Sequence, residues 1–230
     1  MHLFFVNPHD VQREELIIRG QEAIHINRVL RYSTGDEIHA TDGNGYLYRC
    51  KISRVIKDEL TAEIRNTDFE ARPLPYLTLC MGIIKKRDRL ELSIEKAIEL
   101  GADEVVLFRG AYSQKENVRQ DRIESVVLSA MKQSLRRWLP KIRVVNSLEE
   151  AFTYQNEPSV VAFADETTKA GQDGLKKSDH YYLVVGPEGG FSESERSLLQ
   201  SKNAIAFSLG KKRLRTETAA IVAVYQFKGM

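Results

Sequence analysis

Residues 181–224 read YYLVVGPEGGFSESERSLLQSKNAIAFSLGKKRLRTETAAIVAV. The stretch holds two β-strand-like runs, YYLVV and AIAFSL, each ending in a glycine turn and each followed by a helix-like run. A glycine after a strand removes the Cβ that would keep a ligand away from backbone N–H groups. Two such turns close together in sequence point to one shared pocket. In GPEGGFSESE, Pro187 fixes its own φ, Glu188 sits on a rigid turn, and Ser192 with Glu195 forms an S-x-x-E capping box for the next helix. In the second turn Leu209-Gly210 ends a strand and Leu214-Arg215-Thr216-Glu217-Thr218 opens a helix. That helix continues as AAIVAVYQF, apolar nearly all round, and so belongs in a core or an interface. Two ordinary βα loops with well-chosen caps meet the same spacing.

Upstream, from residue 76, strands and helices alternate. YLTLCMGII, DEVVLF, IRVV and SVVAFA read as strands; DRLELSIEKAIELG, VRQDRIESVVLSAMKQSLRRW and LEEAFTY read as helices. Such alternation predicts an α/β domain with a mostly parallel sheet covered on both faces. Residues 1–72 read differently. HLFFV, ELIIR, DEIHATDG, YLYRCKISRVI and LTAEIRN are short β-rich runs divided by turn signals such as Asp42-Gly43-Asn44-Gly45, with one helix-like run, EAIHINRVLR. This spacing predicts a small β-barrel. Arg72-Pro73-Leu74-Pro75 makes the linker, since two close prolines favour extended chain. The domains are therefore expected over 1–72 and 73–230.

Composition excludes several classes. With 42% hydrophobic residues the 230-residue chain buries a sizeable core. No apolar run reaches the ~20 residues of a membrane helix, and MHLFFVNPHD lacks a signal-peptide pattern. Cys50 and Cys80 both lie in strand-like runs and read as buried thiols of a reducing compartment, by default the cytoplasm. The net charge of +2 gives no bulk argument for nucleic acid, so its distribution decides. Residues 1–72 hold 10 basic and 12 acidic side chains, which leaves the excess of positive charge to the second part. There it gathers at Lys85-Lys86-Arg87 with Arg89, from Lys132 to Arg143, and at Lys211-Lys212-Arg213 with Arg215. Clusters of this kind contact phosphates; helix C-termini gather the same residues for the macrodipole.

Several chemistries lack their residues. GPEGG carries no Lys-Ser or Lys-Thr at P-loop spacing and does not match GxGxxG, and no G-x-S-x-G elbow exists. The five histidines lie scattered, without HxxxH or CxxC pairing, so no metal site is expected.

GPEGGFSESE followed by LGKKRLRTETAA resembles the signature pair of the RsmE family, the small-subunit ribosomal RNA uridine-N3 methyltransferases of the SPOUT superfamily. The similarity continues through KKRDRLELSIEKAIELGADEV, AMKQSLRRWLP and HINRVLRYSTGDEIHATDGNG, and covers nearly the whole chain. The chain departs from the family's pattern at Lys132, where an acidic residue usually precedes Gln-Ser, and at Ala111-Tyr112, near the position of a Glu-Arg pair. The resemblance implies a PUA-like β-barrel followed by a SPOUT domain whose C-terminal strands and helix thread a deep trefoil knot. Alternation alone leads instead to an unknotted doubly wound sheet.

The resemblance also implies S-adenosyl-L-methionine held bent in the loops 186–190 and 208–219, a homodimer, and 16S rRNA or the small ribosomal subunit as substrate. The cofactor residues would be Leu183, Val185, Gly186, Pro187, Glu188, Gly189, Gly190, Ser208, Leu209, Gly210, Leu214, Arg215, Thr216, Thr218 and Ala219. Leu183, Leu209 and Leu214 would form the apolar adenine wall. Uridine N3 carries a proton at neutral pH, so methylation requires a proton acceptor or stabilisation of the developing anion. Arg215 stands for anion stabilisation and Glu217 for the base or its organiser; alternatively Arg215 binds phosphate and Glu217 caps its helix. RNA contacts are expected at Arg28 and Arg31, spaced i and i+3 on the short helix, and at Lys85, Arg87, Arg136 and Arg137. A SPOUT methyltransferase for another RNA position, and a non-catalytic RNA-binding assembly factor, share these features.

Overall fold

The computed structural model describes residues 2–112, 118–155, 158–168 and 177–229. The chain divides into two compact units, Met1–Arg72 with Met131–Leu139, and Pro73–Ala130 with Pro140–Met230.

In the first unit, strands β1 (Leu3–Phe5), β2 (Glu15–Arg19), β3 (Glu37–Thr41), β4 (Tyr46–Ile56) and β5 (Glu59–Phe69) pair in the order β1-β3-β4-β5-β2. Only β1 and β3 run parallel. Alternate residues of all five strands enter one core, with Phe4, Leu16, Ile18, Ile38, Ile52 and Leu60 at its centre. This is the period-2 pattern of a sheet with one buried face. Helix α1 (Gln21–Ile24) runs on into a π-turn over His25–Val29 and drops Ala23 and Ile26 into the same core.

Residues 131–139 belong to this unit, whereas their periodicity as a continuation of the preceding helix places them in the second domain of the sequence reading. Their bonds explain the change. Gly45 N–H donates to Arg137 O at 3.0 Å and Leu139 N–H to Gly43 O at 2.9 Å. The Trp138 indole donates to Glu70 O at 2.9 Å. Lys132 meets the carboxylate of Glu22 at 2.6 Å, so the residue that departs from the family's acidic pattern serves as an ion-pair partner.

The second unit is an α/β sheet in which every pairing is parallel. Strands β6 (Tyr76–Gly82), β7 (Glu104–Phe108), β8 (Lys141–Val145), β9 (Val160–Ala164), β10 (His180–Val185) and β11 (Ile205–Phe207) follow the order β11-β9-β10-β6-β7-β8. β6 and β7 are buried along their whole length, as a sheet covered on both faces requires. One face packs on α4 (Leu148–Ala151) and α5 (Glu193–Ser201) through Tyr182, Val184, Phe163 and Leu199. On the other lies α6 (Thr216–Lys228), against β6, β10 and α2 (Arg87–Glu99). Phe227 of α6 meets Tyr181 and Phe207 edge-on. The remaining helix, α3, spans Gln120–Gln133. The mostly parallel, doubly covered sheet expected from alternation is thus present. Cys50 and Cys80 are both buried free thiols, and burial pushes each up to about 12.

The end of α6 is tied down by a buried ion pair. Lys228 Nζ lies 2.9 Å from Asp103 Oδ2, and the same carboxylate oxygen accepts from Leu77 N–H at 3.0 Å. The Asp103 side chain is 1% exposed, so its charge depends on these partners.

Candidate active site

Strands β9, β10 and β11 are parallel neighbours, so their C-terminal ends open on one edge of the sheet. β10 lies beside β6, and the chain leaves β10 for β11 on one side and β6 for β7 on the other, which makes this edge a topological switch point, where open α/β sheets bind ligands. A cavity of about 370 Å³ lies there. Its walls are Ala164 to Glu166 at the end of β9, Val185 to Glu188 with Gly190 and Phe191 at the end of β10, Arg196 of α5, Ser208 to Leu214 after β11, and Thr216 and Ala219 of α6.

Each turn has a local cause. The capping box read from the sequence exists: Glu195 N–H donates to Ser192 Oγ at 3.2 Å and Ser192 N–H to Glu195 Oε2 at 2.7 Å. It fixes where α5 starts and therefore where GPEGG ends. Pro187 lies directly over Gly82, where a Cβ would stand 2.4 Å from the Pro187 nitrogen. Only glycine at the end of β6 allows this approach. Gly210, with φ of +123°, turns the chain out of β11 in a region that L-residues avoid.

Of the residues expected to hold the cofactor, Val185, Gly186, Pro187, Glu188, Gly190, Ser208, Leu209, Gly210, Leu214, Thr216 and Ala219 line this cavity. Leu183 does not. It sits fully buried inside β10, paired with Leu79 and Ala162, and contributes to the sheet core. Gly189 packs against Tyr112, and Thr218 is exposed on α6.

Asp165 and Arg196 are wall residues that the sequence reading missed. Arg196 Nη1 donates to Asp165 Oδ2 at 2.8 Å, while Thr167 donates twice to Oδ1 through its amide and hydroxyl, each at 2.9 Å. Burial raises the Asp165 carboxyl, but the bonds from Thr167 and Arg196 outweigh it and hold it below the usual carboxylate range. The partners lie just after β9 and on α5, 31 positions apart, with no local pattern to announce them.

A second cavity, of about 340 Å³, is lined by Arg89, Glu188, Arg213, Leu214, Arg215, Thr216 and Glu217. It shares Glu188, Arg213, Leu214 and Thr216 with the first. The two catalytic candidates, Arg215 and Glu217, are together here. Arg215 is the N-cap of α6 and exposed, and makes no ion pair among the described residues; Glu217 is in the first helical turn. Arg89 Nε stands 3.4 Å from Glu217 Oε1, and its Nη1 3.9 Å from Glu188 Oε1. Glu217 Oε2 is shielded from solvent and accepts no hydrogen bond from any described residue.

The expected RNA contacts fall out differently. Arg28 is exposed, but the helix ends before Arg31, which has a left-handed φ of +61°, so the two do not share a helical face. Lys85 and Arg87 are exposed and line a further cavity with Arg119 and Arg122. Arg137 is engaged by Asp68 at 2.9 Å and Glu70 at 3.4 Å, with a side chain 19% exposed. Arg136 is half-buried. Among the described residues no group of three His, Cys, Asp or Glu is arranged for a metal, and no helix is long and apolar enough to cross a membrane.

The family model of the RNA methyltransferase domain matches residues 71–228, and that of the RNA methyltransferase PUA domain matches residues 18–65. Over 243 aligned residues the chain is 30% identical to ribosomal RNA small subunit methyltransferase E of Bacillus subtilis (strain 168), with 97% of this chain and 94% of that one covered. The chain belongs to the RsmE family. A crystal structure of a ribosomal RNA small subunit methyltransferase E from Neisseria gonorrhoeae bound to S-adenosyl methionine matches with a TM-score of 0.88 at 26% identity, over 100% of this chain and 97% of that one. A probable rRNA-methyltransferase from Porphyromonas gingivalis matches with a TM-score of 0.88 at 30% identity, over 100% and 98% of the two chains. The two-part architecture of an RsmE-family protein, a PUA unit and a SPOUT sheet, is the one expected from the signature turns.

Proposed function

We propose that this chain is a methyltransferase that uses S-adenosyl-L-methionine to methylate N3 of a uridine in 16S rRNA of the small ribosomal subunit. The observation that carries the reading is the pair of adjoining cavities between the GPEGG turn and the 208–219 segment. The first suits the cofactor. Its volume is in the range of small-ligand sites, and Val185, Phe191, Leu209, Leu214 and Ala219 give it apolar walls beside turn backbone. Charges of both signs line it, with Asp165 paired to Arg196 and Glu166 to Arg213, and Glu188 adds a carboxylate from the GPEGG turn. When bound, the cofactor supplies an electrophilic methyl carbon.

The chain's own residues then handle the acceptor. Glu217 takes the N3 proton, and Arg215 opposes the negative charge that grows on the ring as the proton leaves. The wall shared by the two cavities sets the distance between cofactor and base, which is the positioning such a displacement needs. Arg28 and Arg31 on the PUA unit, and Lys85 and Arg87 on the methyltransferase unit, contact RNA phosphates, with Arg136 supporting them. Arg137 holds the 131–139 segment through Asp68 and Glu70 before it meets RNA.

The knot and the dimer belong to the same reading. The contacts of α6 with α2, β6 and β10 support a C-terminal helix threaded behind the cofactor loops. Tyr225 on its outer side is 68% exposed, a large apolar ring that a second copy would cover. The enzyme works in the cytoplasm, where its substrate is assembled. Calorimetry with S-adenosyl-L-methionine, together with transfer of a labelled methyl group to small-subunit RNA that lacks the modification, tests the function. Binding with transfer to a uridine is expected. Absence of binding would leave an RNA-binding assembly factor, and transfer to another position would leave a different specificity.

A further inference from the structure

We propose that the cavity bounded by Arg89, Arg215 and Glu217 receives the target base itself, and that Arg89 is a specificity-determining residue that makes it select uracil. The inference rests on the functional reading above and goes beyond it by naming the groups that read the base.

The starting point is the unsatisfied oxygen. A buried carboxylate oxygen without a donor is costly and rare, so it calls for a reason. Arg89 on α2 accounts for only one of the two oxygens of Glu217: its Nε is 3.4 Å from Oε1, while Oε2 accepts nothing from the described residues. The terminal torsion of Glu is broad and two-fold, so a small rotation presents either oxygen to the cavity. What the cavity offers is therefore the open Glu217 oxygen together with the guanidinium donors of Arg89 and Arg215, while its other carboxylate, Glu188, is engaged by Arg89 and the Lys85 amide.

The imide edge of uracil is the complement of that arrangement. It presents a donor, N3–H, between two acceptors, O2 and O4. Cytosine presents an acceptor at N3 beside an amino donor, and would set a lone pair against the Glu217 carboxylate and an N–H against a guanidinium. A base must leave its stack to enter such a pocket, and enzymes that act on bases read the flipped base along this edge. Arg89 has a second contact that fits the role: its Nη1 is 3.9 Å from Glu188 Oε1, on the GPEGG turn that lines the cofactor cavity. The guanidinium that faces the base is thus oriented from the cofactor side.

The test measures affinity of the full-length protein, in the presence of S-adenosylhomocysteine, for RNA fragments spanning the methylated nucleotide. The fragments carry uridine, cytidine or 3-deazauridine, which has C–H in place of N3–H, at that nucleotide. The wild-type protein is expected to prefer uridine over both by roughly 10- to 100-fold. Arg89→Met should bring the preference over cytidine to within about threefold, Arg89→Lys should restore part of it, and affinity for S-adenosyl-L-methionine should stay within about twofold. An Arg89→Met protein that keeps the wild-type preference would overturn the proposal. Should that variant fail to fold, equal affinity of the wild-type protein for uridine and 3-deazauridine would overturn it equally. Failure of the wider reading is a separate result: a wild-type protein that neither binds S-adenosyl-L-methionine nor methylates the uridine fragment.

Discussion

Pro187 lies across Gly82 with so little space that a Cβ on Gly82 would stand 2.4 Å from the proline nitrogen and 2.5 Å from its Cδ. The contact joins the end of β6 to the GPEGG turn and sets the height of that turn over the sheet. Gly82→Ala should therefore push the turn out of place. We expect a loss of about 1–3 kcal/mol in denaturant unfolding and, in calorimetry, weaker binding of S-adenosyl-L-methionine than stability alone explains. An alanine variant with unchanged cofactor affinity would show that the turn is placed by other contacts.

The ion pair between Lys228 and Asp103 anchors the last turn of α6 beneath the sheet. Lys228→Met leaves the Asp103 charge buried with one partner fewer. The expected cost is about 3–5 kcal/mol, with a smaller loss when Asp103→Asn is added, because the second change removes the stranded charge. Equilibrium unfolding of the two single variants and the double variant measures this, and a strictly additive double variant would contradict the coupling.

Asp165 gives a pH signature. Its carboxyl is held below the usual range in the folded state by Thr167 and Arg196 against the opposing effect of burial. A depressed folded value means the stabilisation is complete above the unfolded value, about 3.9, and is lost as pH falls through the folded one. Asp165→Asn should accordingly be less stable than the parent by about 1–3 kcal/mol at neutral pH. The gap should stay level down to about pH 5 and narrow below about pH 4. Denaturant titrations across that span check it; a gap that widens on acidification would contradict the assignment.

Much of this fold could be read locally. Strong strand runs bounded by glycine, and the Ser192–Glu195 box, each carry their signal within a few residues, and the structure reproduces them. The two catalytic candidates, Arg215 at the N-cap of α6 and Glu217 in its first turn, are equally visible as residue types, and the structure brings both to one cavity. Other features depend on distance along the chain. Arg89 faces Glu188 and Glu217 from a helix about a hundred residues earlier, and Lys132 meets Glu22 across 110 positions. In a sheet buried on both faces no polar alternation marks orientation, so Leu183 looked the same as a pocket residue. Arg31 failed the i, i+3 expectation because the helix stops at Leu30, whose successor turns left-handed without a glycine to signal it. The knot proposed above would leave no local signature at all, since threading is a property of the path and not of any segment.

Methylation of a uridine N3 in 16S rRNA, with Glu217 as the proton acceptor, is tested by mapping N3-methyluridine, read as reverse-transcription stops, in a strain lacking the gene. The strain is complemented with the wild-type protein or with Glu217→Gln, which keeps the size of the side chain but not its ability to take a proton. Loss of one stop in the deletion, its return with the wild-type protein, and a rate of methylation reduced by about 10²–10⁴ with the variant are expected. An unchanged stop pattern in the deletion strain would contradict the account.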